Sequence, residues 1–296
     1  MALACSLYYR PDGQCFAYKL LGRQHLAHST PLVLVHGLSA VGLVDWLPLA
    51  ASLAEHRPLL IFDNRGIGSS IVPKRAEKEP YAVQDLARDM VELIKHLGLS
   101  EIDLLGFSMG GMIVQSLLVD LGPLPFKVRH VVLAATSAKP AHSDLLQAIP
   151  SPPPGGKELS LEEKKQLVTP FIHVGYDSAF LRNPNNKELL DRRVTESVTT
   201  RRPARTVQHQ IGVIAGYDVR KKLASIPPTL PVLVFHGSLD RSVYPSEAKY
   251  ILQGIKHAQW YDYFDTAYWT TLLNRFLGDQ EAASLVPPAV PKTARL

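Results

Sequence analysis

A chain of 296 residues with 46% hydrophobic content can bury a full core, as one α/β domain with an insertion or as two domains. The net charge of +5 is modest for that length, and its Lys/Arg clusters (Arg192-Arg193, Arg201-Arg202, Arg220-Lys221-Lys222) are broken by apolar and acidic residues, as on a solvated helical face, which argues against a nucleic-acid partner. Cys5 and Cys15 offer neither a disulfide framework nor metal-ligand spacing, and no stretch has the ~20 apolar residues of a membrane span or the layout of a signal peptide, so a soluble intracellular protein is expected.

In chain order, Leu7–Arg10 and Cys15–Leu20, joined by Pro11-Asp12-Gly13, predict an opening hairpin. The continuous apolar run Pro31–Val35 is that of a strand buried on both faces. A helix at about 45–55 leads to a second such strand, Pro58–Phe62. Tyr81–Leu97 carries apolar residues at helical spacing and ends at Gly98. A strand and a helix flank Ser108, Val128–Ala134 is the next strand, and Pro231–Phe235 one more. Strand and helix in alternation predict a mostly parallel central sheet with helices on both faces.

Residues 140–226 break that rhythm. They open with Ser151-Pro-Pro-Pro-Gly-Gly156, which excludes regular structure, and continue as polar helical stretches at Leu161–Val168, Lys187–Val198 and Ala204–Ala215. The expected organisation is a core over 1–139, a helical cap over 140–226, the rest of the core, shortened around 256–266, over 227–280 and a disordered tail over 281–296.

The chemistry concentrates at strand ends. In Gly106-Phe107-Ser108-Met109-Gly110 a serine stands at the apex of a strand–turn–helix, and the glycines two before and two after it allow the tight packing that holds it strained and exposed. His36-Gly37-Leu38-Ser39 follows the 31–35 strand, where Gly37 permits close backbone approach; the Leu38 N–H can then join the Met109 N–H around a developing oxyanion, unless the segment is a simple turn. Asp63-Asn-Arg-Gly-Ile-Gly68, with two glycines and an Asp–Arg pairing, reads as an ordered structural loop; it lacks the lysine of a phosphate loop. Asp240, in His236-Gly-Ser-Leu-Asp240, lies where an acid reaches across the sheet edge to orient an imidazole, the alternative being a turn cap.

These segments together resemble the α/β-hydrolase superfamily across about residues 30–245, and their wording is most similar to small fungal hydrolases of secondary-metabolite and host-selective-toxin clusters. The resemblance implies the α/β-hydrolase fold, Ser108 as nucleophile, Asp240 as acid, Leu38 and Met109 as oxyanion donors, and no cofactor or metal. A serine rather than an aspartate nucleophile implies acyl chemistry.

One part of the family pattern is missing. The triad histidine sits on a loop after a final strand, usually as Gly-His, but here the helix over 246–255 runs into Lys256-His257-Ala258-Gln259-Trp260, and a helix resumes by Tyr268. The interval leaves too little chain for both a strand and a histidine loop, as though about ten residues were absent. His257 is the only histidine beyond Asp240 and so the candidate base; a strand over 259–264 would place it at the wrong end of the sheet.

Two functions follow from the sequence. One is a serine hydrolase or acyltransferase working through an acyl-enzyme on a small apolar ester or acyl thioester; the other is a hydrolase-fold protein that binds a small molecule without turnover. The final Ala294-Arg295-Leu296 resembles the Ser-Lys-Leu address read by the peroxisomal import receptor, so a peroxisome is expected, with the cytoplasm as alternative.

Overall fold

The computed structural model describes residues 5–150 and 158–263 together with Leu273 and Leu277. The chain divides into two compact units, Met1–Phe264 and Asp265–Leu296; of the second, the two described leucines are helical and buried. The Ser151–Gly156 stretch, the resumption of helix by Tyr268 and the 281–296 tail lie outside the described residues.

The sheet has eight strands in the order β1-β2-β4-β3-β5-β6-β7-β8. β1 (Ser6–Tyr9) and β2 (Cys15–Leu21) form the expected hairpin, turned by Gly13 at φ 89°. β2 also pairs antiparallel with β4 (Leu59–Phe62), and every remaining pairing is parallel: β4 with β3 (Leu32–Val35), then β5 (Glu101–Phe107), β6 (Lys127–Ala134), β7 (Val232–Gly237) and β8 (Gln259–Tyr263). β3 and β4 are buried along their whole length, which is why they read as unbroken apolar runs rather than alternations. The chain leaves β3 toward β4 on one side and returns to β5 on the other. The carboxyl ends of β3 and β5 therefore flank the reversal in strand order where open α/β sheets form their crevices.

The expected helix at 45–55 is two pieces, α1 (Gly42–Asp45) and α2 (Leu47–Ala54), because Pro48 in the first turn of α2 has no N–H to continue the earlier helix. α3 (Val83–His96) buries Val83, Leu86, Ala87, Met90, Leu93 and Ile94 on one face, and Gly98 follows at φ 65°. α4 (Met109–Asp120) is buried around most of its circumference.

Among the described residues four α-helices lie between β6 and β7: α5 (Leu161–His173), α6 (Ser178–Arg182), α7 (Lys187–Thr199) and α8 (Ala204–Ala215). α5 starts at a capping box of Ser160 and Glu163 and runs five residues past the expected end through Pro170. α6, unforeseen, is too short for a periodicity; its signal is Asp177, whose carboxylate accepts the Ala179 and Phe180 N–H groups. α9 (Ala248–Gly254) leads to β8, so the interval judged too short for both a strand and a histidine loop holds the strand, close to the 259–264 considered for it. Five residues suffice because β8 is an edge strand paired on one side, in register with Leu233–Gly237. Among the described residues, no helix is long and apolar enough to cross a membrane.

Candidate active site

Ser108 stands between β5 and α4 at φ 55°, ψ −122°, a backbone region that L-residues avoid. Its neighbours make that conformation obligatory. A Cβ on Gly106 would meet the Gly110 carbonyl oxygen at 2.6 Å, and one on Gly110 would meet the Val35 carbonyl oxygen at 2.0 Å. The first turn of α4 can therefore lie against β3 only without side chains there. The turn is closed by the Ser108 N–H donating to Ala134 C=O at 2.9 Å and the Thr136 hydroxyl donating to Ser108 C=O at 2.7 Å. Such strain, of about 1–3 kcal/mol, persists where surrounding structure over-determines it.

The loop after β3 faces this apex. A Cβ on Gly37 would lie 3.1 Å from Ser108 Cβ and 3.5 Å from its Oγ, so the glycine brings the loop backbone against Ser108. Leu38 follows; its N–H enters no backbone hydrogen bond among the described residues. Met109 begins α4, where a helix leaves its N–H groups without intrahelical acceptors. Leu38 and Met109 thus follow the carboxyl ends of adjacent strands, β3 and β5.

His36 is buried and occupied. Its Nδ1 donates to Gly37 C=O at 3.1 Å and its Nε2 accepts the Asn64 N–H at 3.1 Å, which sets a neutral tautomer; burial lowers its pKa and keeps it neutral. The ring couples the 36–39 loop to the loop after β4. Asp63 serves the same end, accepting Leu43 N–H at 3.1 Å and Ser69 N–H at 2.8 Å. The structural reading of that loop agrees with these contacts, but the expected Asp–Arg pairing does not form. Arg65 turns instead to Asp89 on α3, at 2.7 Å, where Arg10 also binds at 3.0 Å.

Asp240 lies just beyond β7, at the same sheet edge as Ser108 and two strands away, a separation of about 10 Å at ~4.8 Å per strand. Its Oδ1 accepts Ser242 N–H at 2.7 Å and Val243 N–H at 3.0 Å, so it caps its own turn; its Oδ2 is 3.4 Å from His236 Nε2. The two readings of Asp240 are compatible: one oxygen holds the turn and the other remains for an imidazole.

The structure corrects His257 as the base. Its Nε2 donates to Leu230 C=O at 3.0 Å, ahead of both β7 and β8, whereas Ser108 and Asp240 lie past the carboxyl ends of their strands. The six residues of β7 separate the two edges by about 20 Å at ~3.3 Å per residue. Of the other histidines on the carboxyl side, His236 donates to Val243 C=O at 2.7 Å and His142 pairs with Glu247 at 2.7 Å. Among the described residues no imidazole hydrogen-bonds to Ser108, and His257 is the last histidine in the sequence.

Sequence reasoning missed Gln210, on α8, and Arg202, just before it. Gln210 Oε1 accepts Ser39 N–H at 2.8 Å, and Arg202 donates to Ser39 C=O at 3.4 Å and to Asp45 at 3.2 Å. No local pattern announces them, since Gln210 and Ser39 are 171 positions apart. Among the described residues no group of three or more His, Cys, Asp or Glu side chains is placed to hold a metal.

Residues 30–274 match the family described as alpha/beta hydrolase fold, which is most of the chain. Among curated relatives, a proline iminopeptidase of Lactobacillus crispatus is 31% identical over 121 residues, 40% of this chain and 39% of that protein. A proline iminopeptidase of Lactobacillus delbrueckii subsp. bulgaricus is 24% identical over 274 residues, 85% of this chain and 88% of that protein. Thus the chain spans about two fifths of the first relative's length and most of the second's. Among solved structures, a hydrolase from Pseudomonas aeruginosa superposes with a TM-score of 0.74 at 23% identity, covering 94% of this chain and all of that one. The chain belongs to the alpha/beta hydrolase fold family.

Proposed function

We propose that the protein is a serine-dependent acyl hydrolase or acyltransferase in which Ser108 is the nucleophile and the Leu38 and Met109 N–H groups receive the oxyanion. The observation that carries this reading is the strained Ser108 apex with the glycine of the facing loop packed against it. Ser108 Oγ adds to the acyl carbonyl carbon as its proton passes to a solvent water, and the carbonyl oxygen takes up negative charge between the two N–H groups. Collapse expels the leaving group and leaves an acyl-enzyme, which water or another nucleophile then cleaves.

The histidine result shapes the substrate class. Among the described residues no imidazole hydrogen-bonds to Ser108 to protonate a leaving alkoxide or amine. Acyl donors whose leaving group departs as a stable anion, thioesters and aryl or enol esters, suit this site best. Leu38 and Trp46, with Trp46 edge-on to Phe107 at 6.1 Å, give the surroundings of Ser108 an apolar character that favours an apolar acyl chain. Helices α5–α8 are read as its cap, supported by the contacts of Arg202 and Gln210 with the loop after β3. The resemblance to fungal toxin-cluster hydrolases and the Ala294-Arg295-Leu296 terminus support a peroxisomal acyl-CoA-type substrate.

The second reading, a binder without turnover, is favoured by the same lack of an imidazole at Ser108. Labelling with a fluorophosphonate separates the two. Stoichiometric modification of Ser108, lost in Ser108→Ala, supports the hydrolase; an unlabelled wild-type protein that still binds an acyl thioester supports the binder.

A further inference from the structure

Ser39 is the second residue in the site held at positive φ without being glycine, at 59°. Such a residue stays there only if its surroundings hold it. The groups that do so come from α8 and from the stretch that leads into it. Gln210, fully buried on α8, accepts the Ser39 N–H at 2.8 Å, and Arg202 donates to the Ser39 carbonyl at 3.4 Å. Arg202 is itself fixed on Asp45 at 3.2 Å, whose carboxylate accepts Val41 N–H at 2.7 Å. Both polar ends of Ser39 are thereby gripped from outside its loop.

α8 is anchored independently of Gln210. The His209 ring meets Tyr81 edge-on at 5.4 Å, and Thr206 packs so closely on Gly66 that a Cβ there would lie 2.8 Å from its hydroxyl. Gln210 thus reaches Ser39 from a fixed base.

The chemical identity of the gripping residue is informative. Because the Ser39 N–H needs an acceptor, the amide oxygen of Gln210 must face it, and that leaves Nε2 buried with no hydrogen-bond partner among the described residues. An unpaired buried donor is unfavourable. A glutamate would supply the same acceptor without the orphaned donor, but would bring a negative charge beside a loop where negative charge has to develop. A neutral amide is the side chain that accepts this bond without opposing an oxyanion.

We propose that Gln210 is a positioning residue for the oxyanion loop: by holding the Ser39 N–H it fixes the preceding peptide so that the Leu38 N–H faces Ser108. This rests on the acyl-transfer reading of Ser108, and one arm of its test does not depend on activity.

The test uses the full chain with Gln210→Met, which keeps length and loses the acceptor, and Gln210→Glu, which keeps the acceptor and adds charge. Amide hydrogen exchange of the 36–43 segment is the first readout, and acylation by an aryl ester across pH the second. In Q210M the Ser39 amide should exchange faster, up to about ten-fold for one lost hydrogen bond. Its kcat should fall about 10²-fold with KM little changed, as for a small misplacement of a reacting group. In Q210E the amide should remain protected, while kcat relative to wild type falls as pH rises and the carboxyl ionises. Unchanged Ser39 exchange in a folded Q210M, or a pH-independent Q210E/wild-type ratio, would overturn the proposal. If Q210M does not fold, the Q210E ratio decides alone. A wild-type protein that is never acylated would remove the reading of Ser108, while the exchange result would still decide whether Gln210 holds the loop.

Discussion

His257 donates its Nε2 proton to the Leu230 carbonyl at 3.0 Å, joining the turn ahead of β8 to the turn ahead of β7. That places it in the scaffold at the edge opposite Ser108. His257→Ala should leave Ser108 acylation within about two-fold of wild type and cost about 0.5–1.5 kcal/mol in urea denaturation. A loss of several orders of magnitude in rate with unchanged stability would restore it as a base.

Ser108 offers a test of strain. Ser108→Ala should abolish labelling and keep the fold. Ser108→Gly should also abolish labelling, yet raise stability by about 1 kcal/mol, because relief of about 1–3 kcal/mol of strain exceeds the added chain entropy of glycine. A Ser108→Gly protein less stable than Ser108→Ala would show that the turn is not strained.

The glycine of the elbow differs from a glycine elsewhere. Gly110→Ala puts a methyl 2.0 Å from the Val35 carbonyl oxygen, so α4 must lift from β3 at a cost of about 3 kcal/mol. Gly212 on α8 has nothing within 4 Å of the added Cβ, so Gly212→Ala should stabilise by about 0.5–1 kcal/mol. Thermal unfolding of the pair reads both.

Buried Glu247 accepts His142 Nδ1 at 2.7 Å, Lys139 Nζ at 3.0 Å and the Ser137 hydroxyl at 3.1 Å. Burial alone would raise its pKa, but the hydrogen bonds from His142 and Lys139 outweigh it and hold the carboxyl below the ordinary glutamate value. A folded-state pKa lowered in this way contributes stability that is present above the unfolded-state value and lost as pH falls through the folded-state value. Glu247→Gln should therefore cost about 3 kcal/mol at neutral pH, and its deficit should shrink as pH falls below the ordinary glutamate range. A deficit independent of pH would assign the effect to packing.

The terminal tripeptide makes a cellular prediction. A fluorescent protein ending in residues 285–296 should become punctate with a peroxisomal marker, and removing Ala294–Leu296 should make it diffuse. A diffuse intact fusion would remove the peroxisomal support for an acyl-CoA-type substrate.

Much of this architecture was legible in the residues because its signals are local. β3 and β4 are buried on both faces, so their runs Leu32–Val35 and Leu59–Phe62 are apolar without interruption, and the elbow shows as Gly-Phe-Ser-Met-Gly because each side chain omitted there would strike a backbone atom. β8 was legible only as a conditional strand over 259–264, because an edge strand paired on one side needs little apolar content: Gln259 and Trp260 are exposed. α6 escaped for want of length, and the break between α1 and α2 was signalled by Pro48 but lay within a continuous apolar run.

The sequence by itself determined the sheet class, the serine at its apex and the two loops that face it, since each depends on residues within a few positions of one another. Only the tertiary structure decided which edge of the sheet His257 occupies, that Arg65 pairs with Asp89 rather than Asp63, and that Gln210 holds Ser39. The reason is distance along the chain. A bond across 171 positions leaves no periodicity, and the side of a sheet on which a residue emerges depends on whether a neighbouring strand forms, which is settled by pairing rather than by composition.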